Sequence, residues 1–152
     1  MLIWVKQIDR RVTLLIIINT IFFLAISLVH FYWAARGTYG NLAVLPSKPD
    51  GQFVFKPGIF STIIVAIGLL LFAVITLGNL TIFDQWIDRK YSHYGMWVIA
   101  VIFIARAIGD FNFIGFGKRI RGTPFARNDT RIYSPLSLSV GVISLLIALF
   151  AD

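Results

Sequence analysis

Arg106 and Asp110 are the residues whose types and spacing most directly suggest chemistry, because they stand four residues apart in an apolar stretch. A charged side chain inside a membrane span costs about 2.5–3.5 kcal/mol on insertion scales and by default suggests a functional site. Residues spaced i,i+4 share one helix face, so one interpretation is a self-neutralising ion pair that fixes the helix against its neighbours. In the other interpretation, Arg106 binds an anionic group while Asp110 orients that group or transfers a proton.

His30 is the second candidate for chemistry. It lies near the end of the first apolar segment, and counting inward from the span ends places it at about the depth of Asp110. If the two helices face each other, His30 and Asp110 form an acid–base pair and are the candidate catalytic residues. The alternative is that His30 is an interfacial hydrogen-bonding residue.

The residues around these candidates predict a pocket with apolar walls, an aromatic rim and a cationic mouth. Such a pocket suits an amphiphile with an anionic head group. The candidate ligand-binding residues are Trp33, Arg36, Tyr39, Arg106, Lys118 and Tyr133.

The elements that must position these residues are membrane-spanning helices. Of the 152 residues, 58% are apolar and 15% are aromatic, which is too much apolar surface for a soluble domain of this length. A helix crosses the bilayer in roughly 20 residues. The pattern predicts an all-α membrane protein, a compact bundle of four transmembrane helices in one domain over residues 1–152. The predicted spans are about 12–35, 59–81, 94–114 and 135–150.

The first span follows Lys6, Arg10 and Arg11 and could be mistaken for a signal peptide. Its apolar run is longer than the corresponding region of a signal peptide, and no A-x-A-like cleavage site follows it. We therefore expect this segment to be retained as a span.

Four spans place both termini and the second loop on one side of the membrane, which we call side B. The first and third loops, 36–58 and 115–134, lie on the other, side A. Side A carries eight Lys and Arg residues and side B carries five, so the positive-inside rule predicts that side A is cytoplasmic. The net charge of +7 then reflects contact with anionic lipid head groups and not with nucleic acid.

Other features predict packing instead of chemistry. Ser137, Gly141, Ser144 and Ala148 form a stripe of small residues that lets two helices approach closely. Ser134 and Pro135 form a suitable N-cap and first-turn pair for the fourth span. The chain has no cysteine, and His30 and His93 fall on opposite sides of the membrane, so we expect neither a metal site nor a cofactor.

Three blocks, "HFYWAARGTYG", "RAIGDFNFIGFGKR" and "FARNDTRIYSPL", give the chain a resemblance to a known family. It resembles small bacterial four-span integral membrane proteins that are defined as a domain of unknown function. The resemblance covers most of the chain and implies a four-helix bundle in a bacterial cytoplasmic membrane, but no activity. Gly117 departs from the bulkier residue expected there. The family-like positions are His30, Trp33, Ala34, Gly40, Arg106, Gly109, Asp110, Phe111, Gly115, Phe125, Asp129, Ser134, Pro135 and Leu136.

Three functions compete at this point. The first is a non-enzymatic accessory or interaction protein that binds membrane lipid or another membrane protein. The second is a membrane-embedded enzyme or binding protein for a lipid-like anionic amphiphile, which uses a pocket of His30, Arg106 and Asp110. The third is a small proton-coupled transporter, which is disfavoured because Asp110 is off-centre and has Arg106 beside it.

Overall fold

The computed structural model describes residues 10–86 and 88–151. Lys6, one of the cations assigned to side B, lies outside these residues. Five α-helices follow one another: α1 (Arg10–Ala34), α2 (Ile59–Leu77), α3 (Arg89–Ile108), α4 (Pro124–Asn128) and α5 (Ser134–Phe150). Short 3₁₀ turns occupy Asn41–Val44 and Thr81–Phe83, and a π-helical turn, Asp129–Tyr133, joins α4 to α5.

Among the described residues, four helical segments are long and apolar enough to cross a membrane, as predicted. They are α1, α2, α3 and the continuous stretch Pro124–Phe150. No more than about a third of any of these segments is buried, so the remaining apolar surface is available to lipid. Within the described ranges the regular secondary structure is entirely helical, and an isolated β-bridge joins Ser47 to Phe53 in the first loop.

The four long helices form a bundle around a cluster of aromatic rings. Helix α1 packs most extensively against α2, and α3 packs most extensively against α5, while α1–α5 and α2–α3 contacts close the bundle. Phe23 of α1 lies at the centre, with its ring 5.7 Å from Phe72 and 5.5 Å from Phe103. The Phe23–Phe72 pair is edge-on and the Phe23–Phe103 pair is tilted, and ring contacts of this kind stabilise the core beyond the area that they bury.

The small-residue stripe of α5 is buried and holds two other helices, which confirms its predicted packing role. A side chain at Gly141 would press on Ile104 of α3, so the glycine allows the close approach of α3 and α5. Ser144 accepts a 3.0 Å hydrogen bond from the amide of Asn19 on α1. Both side chains are buried, so this bond joins α1 to α5 inside the bundle.

Helix α3 begins and ends earlier than the predicted span 94–114. It begins at Arg89 because the carboxylate of Asp88 accepts a 2.9 Å hydrogen bond from the Lys90 amide and caps the first turn. It ends at Ile108 because Gly109 adopts a φ of +95°, which turns the chain out of the helix. Asp110 therefore lies in the loop that follows the span.

The start of the fourth span differs in part from its prediction. Pro135 lies in the first turn of α5, as expected, but Ser134 is already helical and its side chain does not cap the helix. The helical stretch begins ten residues earlier at Pro124, where the Thr123 hydroxyl accepts a 3.1 Å hydrogen bond from the Ala126 amide. A wide π turn follows, closed by a hydrogen bond from the Ser134 amide to the carbonyl of Asp129. The wide turn immediately precedes Pro135, whose ring would clash with a regular α-helical turn.

The two loops of side A are joined. Helix α4 packs on the 3₁₀ turn of the first loop, and the Tyr133 hydroxyl donates a 3.4 Å hydrogen bond to the carbonyl of Ala43. The loops therefore form one folded layer over the side A end of the bundle.

We expect Gly141→Ala to lower the thermal unfolding midpoint in detergent, because the added methyl group would lie 2.8 Å from Ile104 Cγ1 and 3.0 Å from its amide nitrogen. Overpacking of this kind typically costs about 1–3 kcal/mol. Gly68→Ala in α2 is the matched control, since no atom lies within 4 Å of its new methyl group. The control should leave the midpoint unchanged or raise it. Equal effects of the two substitutions would contradict the close packing of α3 on α5.

Candidate functional site

The polar centre of side A is the carboxylate of Asp129, which is completely buried. Its Oδ1 accepts a 2.9 Å hydrogen bond from Arg106 Nη2. Its Oδ2 accepts hydrogen bonds from Lys118 Nζ at 2.9 Å, the Gly115 amide at 2.8 Å and the Ser134 hydroxyl at 3.0 Å. We call these five residues the Asp129 cluster. Four donors occupy both carboxylate oxygens, so this group is a structural acceptor and has little capacity left for proton transfer.

The Asp129 cluster connects three elements of the fold. Arg106 comes from the last turn of α3, Gly115 and Lys118 come from the loop after it, and Ser134 begins α5. Lys118 is itself buried and donates a second hydrogen bond, 2.8 Å long, to the Gly115 carbonyl. The π turn begins at Asp129, so the residue that accepts these hydrogen bonds is also the first residue of the wide turn.

Two glycines allow the loop to fold back onto the end of α3. Gly109 and Gly115 both have positive φ angles, +95° and +84°. Their backbones are in direct contact, because a Cβ on Gly109 would overlap the Ile114 carbonyl and a Cβ on Gly115 would overlap the Gly109 backbone. Hydrogen bonds from Phe116 to Ala107 and from Gly117 to Ile108 complete the closure. The closed loop presents the Gly115 amide to Asp129.

Asp110 shapes this loop and does not pair with Arg106. Its Oδ1 accepts hydrogen bonds from the amides of Asn112, Phe113 and Ile114 at 2.9, 2.7 and 2.9 Å. Burial acts to raise the pKa of Asp110, but the backbone hydrogen bonds from Ile114, Asn112 and Phe113 outweigh it, so its pKa is lowered. The interpretation of Arg106 and Asp110 as a self-neutralising ion pair is therefore wrong, because α3 ends between them and Arg106 pairs with Asp129 instead.

His30 belongs to a separate group on α1. Its Nδ1 lies 2.8 Å from the Ile26 carbonyl, which can only accept, so Nδ1 carries a hydrogen. Its ring packs edge-on against Trp33 with centroids 5.0 Å apart. Trp33 Nε1 in turn donates a 2.9 Å hydrogen bond to the Tyr39 carbonyl, which ties the first loop to the end of α1.

The remaining predicted ligand-binding residues lie in the loops of side A, where each contributes to the local structure. Arg36 has a φ of +69° and ends α1 in a left-handed turn, closed by a hydrogen bond from Gly37 to Tyr32. The Arg36 residue is exposed, as is Tyr39. Tyr133 is half-buried and packs on Phe125, with ring centroids 6.1 Å apart.

The structure thus divides the predicted site residues into two groups. Arg106 and Lys118 meet at Asp129, whereas His30, Trp33 and Tyr39 lie together on α1 and the first loop. Over residues 10–86 and 88–151, no hydrogen bond or ion pair joins His30 to Asp110 or links one group to the other. Asp129 itself is absent from the predicted site, although it is the one acidic residue in a loop that carries five cations. A single acidic residue among five cations was the sequence feature that could have identified Asp129 as their partner.

The Asp129 cluster can be tested by removing its negative charge. Asp129→Asn leaves Arg106 and Lys118 near one another without a counter-charge, and breaking a buried pair in this way costs about 3–5 kcal/mol. We expect a large fall in the thermal unfolding midpoint in detergent. The control is Asp84→Asn, which breaks the partly exposed pair with Arg89 at 3.3 Å and should cost about 0–1 kcal/mol. Comparable midpoints for the two variants would contradict a central role for Asp129.

The stability that Asp110 contributes through its turn depends on pH, and the direction of that dependence can be predicted. Because the folded-state pKa lies below the ordinary value of 3.8, ionised Asp110 stabilises the fold above that pH, and the contribution is lost as pH falls through the folded pKa. Asp110→Asn keeps the side-chain oxygen but removes the charge. We expect the wild type to unfold at a higher temperature than Asp110→Asn at neutral pH, with the difference shrinking as the pH falls below 3.8. Asp50→Asn, at an exposed turn with the same type of bond to Gln52, is the control. A difference that grows on acidification would contradict this account.

Comparison with known proteins identifies a family. Residues 23–144 match the family described as protein of unknown function (DUF3995), and this range includes His30, Arg106, Asp110 and Asp129. Neither curated proteins nor solved structures give a match. The match covers well over half of the chain, so the protein belongs to the DUF3995 family.

Proposed function

We propose that this protein is a non-enzymatic accessory protein of the bacterial cytoplasmic membrane that binds anionic lipid through side A. The observation that carries the proposal is the imbalance of exposed charge on that side. The exposed carboxylates there are Asp50 and Asp110, and Asp110 is engaged by three backbone amides. The exposed cations, which we call the cationic cap, are Arg36, Lys48, Lys56, Arg119, Arg121, Arg127 and Arg131.

The cationic cap has the chemistry of a surface that meets lipid phosphates. Its residues stand on the two loops that are joined through α4 and Tyr133, so the cations share one folded layer. Each Lys or Arg close to an anionic membrane surface contributes about 1 kcal/mol of attraction. Among the described residues of side B, by contrast, the exposed cations Arg10, Arg11 and Lys90 are accompanied by exposed Asp84 and Asp88. This difference also favours a cytoplasmic side A under the positive-inside rule.

The candidate catalytic groups support a non-enzymatic role. Asp129 is occupied by four donors, Asp110 by three amides, and His30 Nδ1 by a backbone carbonyl. General acid–base catalysis needs a donor and an acceptor aligned on a reacting group. The proposal therefore assigns no catalytic role to His30 or Asp110. It also includes no proton-coupled transport, because Asp129 is held between Arg106 and Lys118.

The proposal is tested by removing two cations from the cap. In Arg127→Gln/Arg131→Gln the two exposed side chains lose their charge without losing a hydrogen bond or ion pair of the fold. We expect the variant to retain severalfold less phosphatidylglycerol than the wild type after extraction from mixed phosphatidylglycerol and phosphatidylcholine bilayers. Native mass spectrometry measures the ratio of the two bound lipids.

Arg10→Gln/Lys90→Gln removes the same number of exposed charges from side B and is the matched control. It should preserve the preference for phosphatidylglycerol. Equal losses in the two double variants would show a general charge effect and contradict the proposal. Retention of both lipids in proportion to the bilayer by the wild type would contradict it as well.

A further inference from the structure

Arg106 has unused binding capacity. Its Nη2 is bonded to Asp129, whereas Nη1 is buried and has no hydrogen-bond partner. A guanidinium group carries five N–H donors in a planar fork, and an unpaired buried donor costs free energy. In a span, such a donor is stable only if another acceptor compensates it.

The Asp129 cluster also carries unbalanced charge. Arg106 and Lys118 contribute two positive charges, and Asp129 contributes one negative charge. The nearest acidic residue in sequence, Asp110, makes its hydrogen bonds to backbone amides on its own loop. One positive charge therefore remains at the end of α3, at a depth where the surrounding medium screens it poorly.

The position of Arg106 on α3 determines which anion can reach it. A third of the Arg106 side chain is exposed, whereas the side chain of Lys118 is 1% exposed. One turn deeper on the same helix face lies Ile102, which is 44% exposed, and a further turn deeper lies Val98, which is 56% exposed. Phe103, on the other flank, packs into the aromatic core. Arg106 thus stands at the border between the core and a flank covered with apolar residues, where the neighbouring molecules are lipids.

From this geometry we infer a specific lipid site, in which the guanidinium of Arg106 binds the phosphate of an anionic lipid in the side A leaflet. The acyl chains of that lipid lie along the exposed apolar flank of α3 at Ile102 and Val98. A guanidinium can bridge two oxyanions, so a small shift of the Arg106 fork keeps the Asp129 bond while another N–H reaches the phosphate. The inference rests on the proposed function for its ligand class, and it adds one localised site to the diffuse attraction of the cationic cap.

Two substitutions of Arg106 separate charge from geometry. Arg106→Gln reduces the charge of the Asp129 cluster to zero, while Asp129 keeps Lys118, the Gly115 amide and the Ser134 hydroxyl. We expect it to lose the tightest phosphatidylglycerol, with that lipid bound about tenfold more weakly. Arg106→Lys keeps the charge but replaces the fork by one ammonium group. It should fold as the wild type does and bind that lipid at an intermediate strength.

The measurement is a titration of purified protein in zwitterionic nanodiscs with phosphatidylglycerol, read by native mass spectrometry. Phosphatidylcholine and inorganic phosphate form the two other arms, because they separate an anionic lipid from a zwitterionic one and from free phosphate. The inference requires saturable binding of phosphatidylglycerol that inorganic phosphate does not displace. Displacement by millimolar phosphate, or equal binding of phosphatidylcholine, would overturn it.

The double variant Arg127→Gln/Arg131→Gln distinguishes the specific site from the cap. If it loses the weak binding and keeps the saturable step, while Arg106→Gln loses that step, both proposals are supported. If both Arg106 variants bind as the wild type does and only the cap variant loses lipid, the Arg106 site is refuted and the proposed function stands. If Arg106→Gln does not fold, Arg106→Lys decides, since wild-type binding by that variant refutes a role for the guanidinium fork.

Discussion

The side A half of the structure depends on one buried carboxylate. Asp129 receives hydrogen bonds from the end of α3, from the loop that follows and from the first residue of α5. Without it, two cations at the same place would repel each other, and the loop would lose the acceptor of its Gly115 amide. Because a charge is expensive to bury unless it is paired and hydrogen-bonded, α3, the loop after it and α5 must bring their donors together at Asp129, and this requirement positions the side A layer.

The bundle and its number of helices could be predicted from sequence because they follow from local hydropathy, which long apolar runs report without tertiary information. The buried stripe of α5 could be predicted equally well, since its periodicity is a property of one helix. The ends of α3 were harder to predict. A glycine at position 109 permits a positive φ but does not require one, and the contact of Gly109 with Gly115 arises only once the loop has closed.

The partner of Arg106 shows where reasoning from spacing stops. An i,i+4 pair predicts contact only while the helix continues, and this helix ends at Ile108. The true partner is 23 residues away and enters the site through a π turn, which no local pattern in the sequence indicates. Whether His30, Arg106 and Asp110 form a pocket depends in the same way on tertiary contacts, which spacing in the sequence does not reveal. His30 and Asp110 instead form hydrogen bonds with backbone groups of their own segments.

The separation of Arg106 from Asp129 along the chain also has a consequence in time. Residues 107–128 are synthesised between them, so Arg106 leaves the ribosome before its counter-ion does. At typical translation rates the 23 residues of separation take about one to five seconds, which is far longer than helix insertion and side-chain motions require. During that interval Arg106 stands at the membrane interface as an unpaired cation, and the lipid head group is the anion within reach. Lipid phosphate is thus the first anion that Arg106 meets, and the later bond to Asp129 uses Nη2 and leaves Nη1 without a partner among the described residues of the protein.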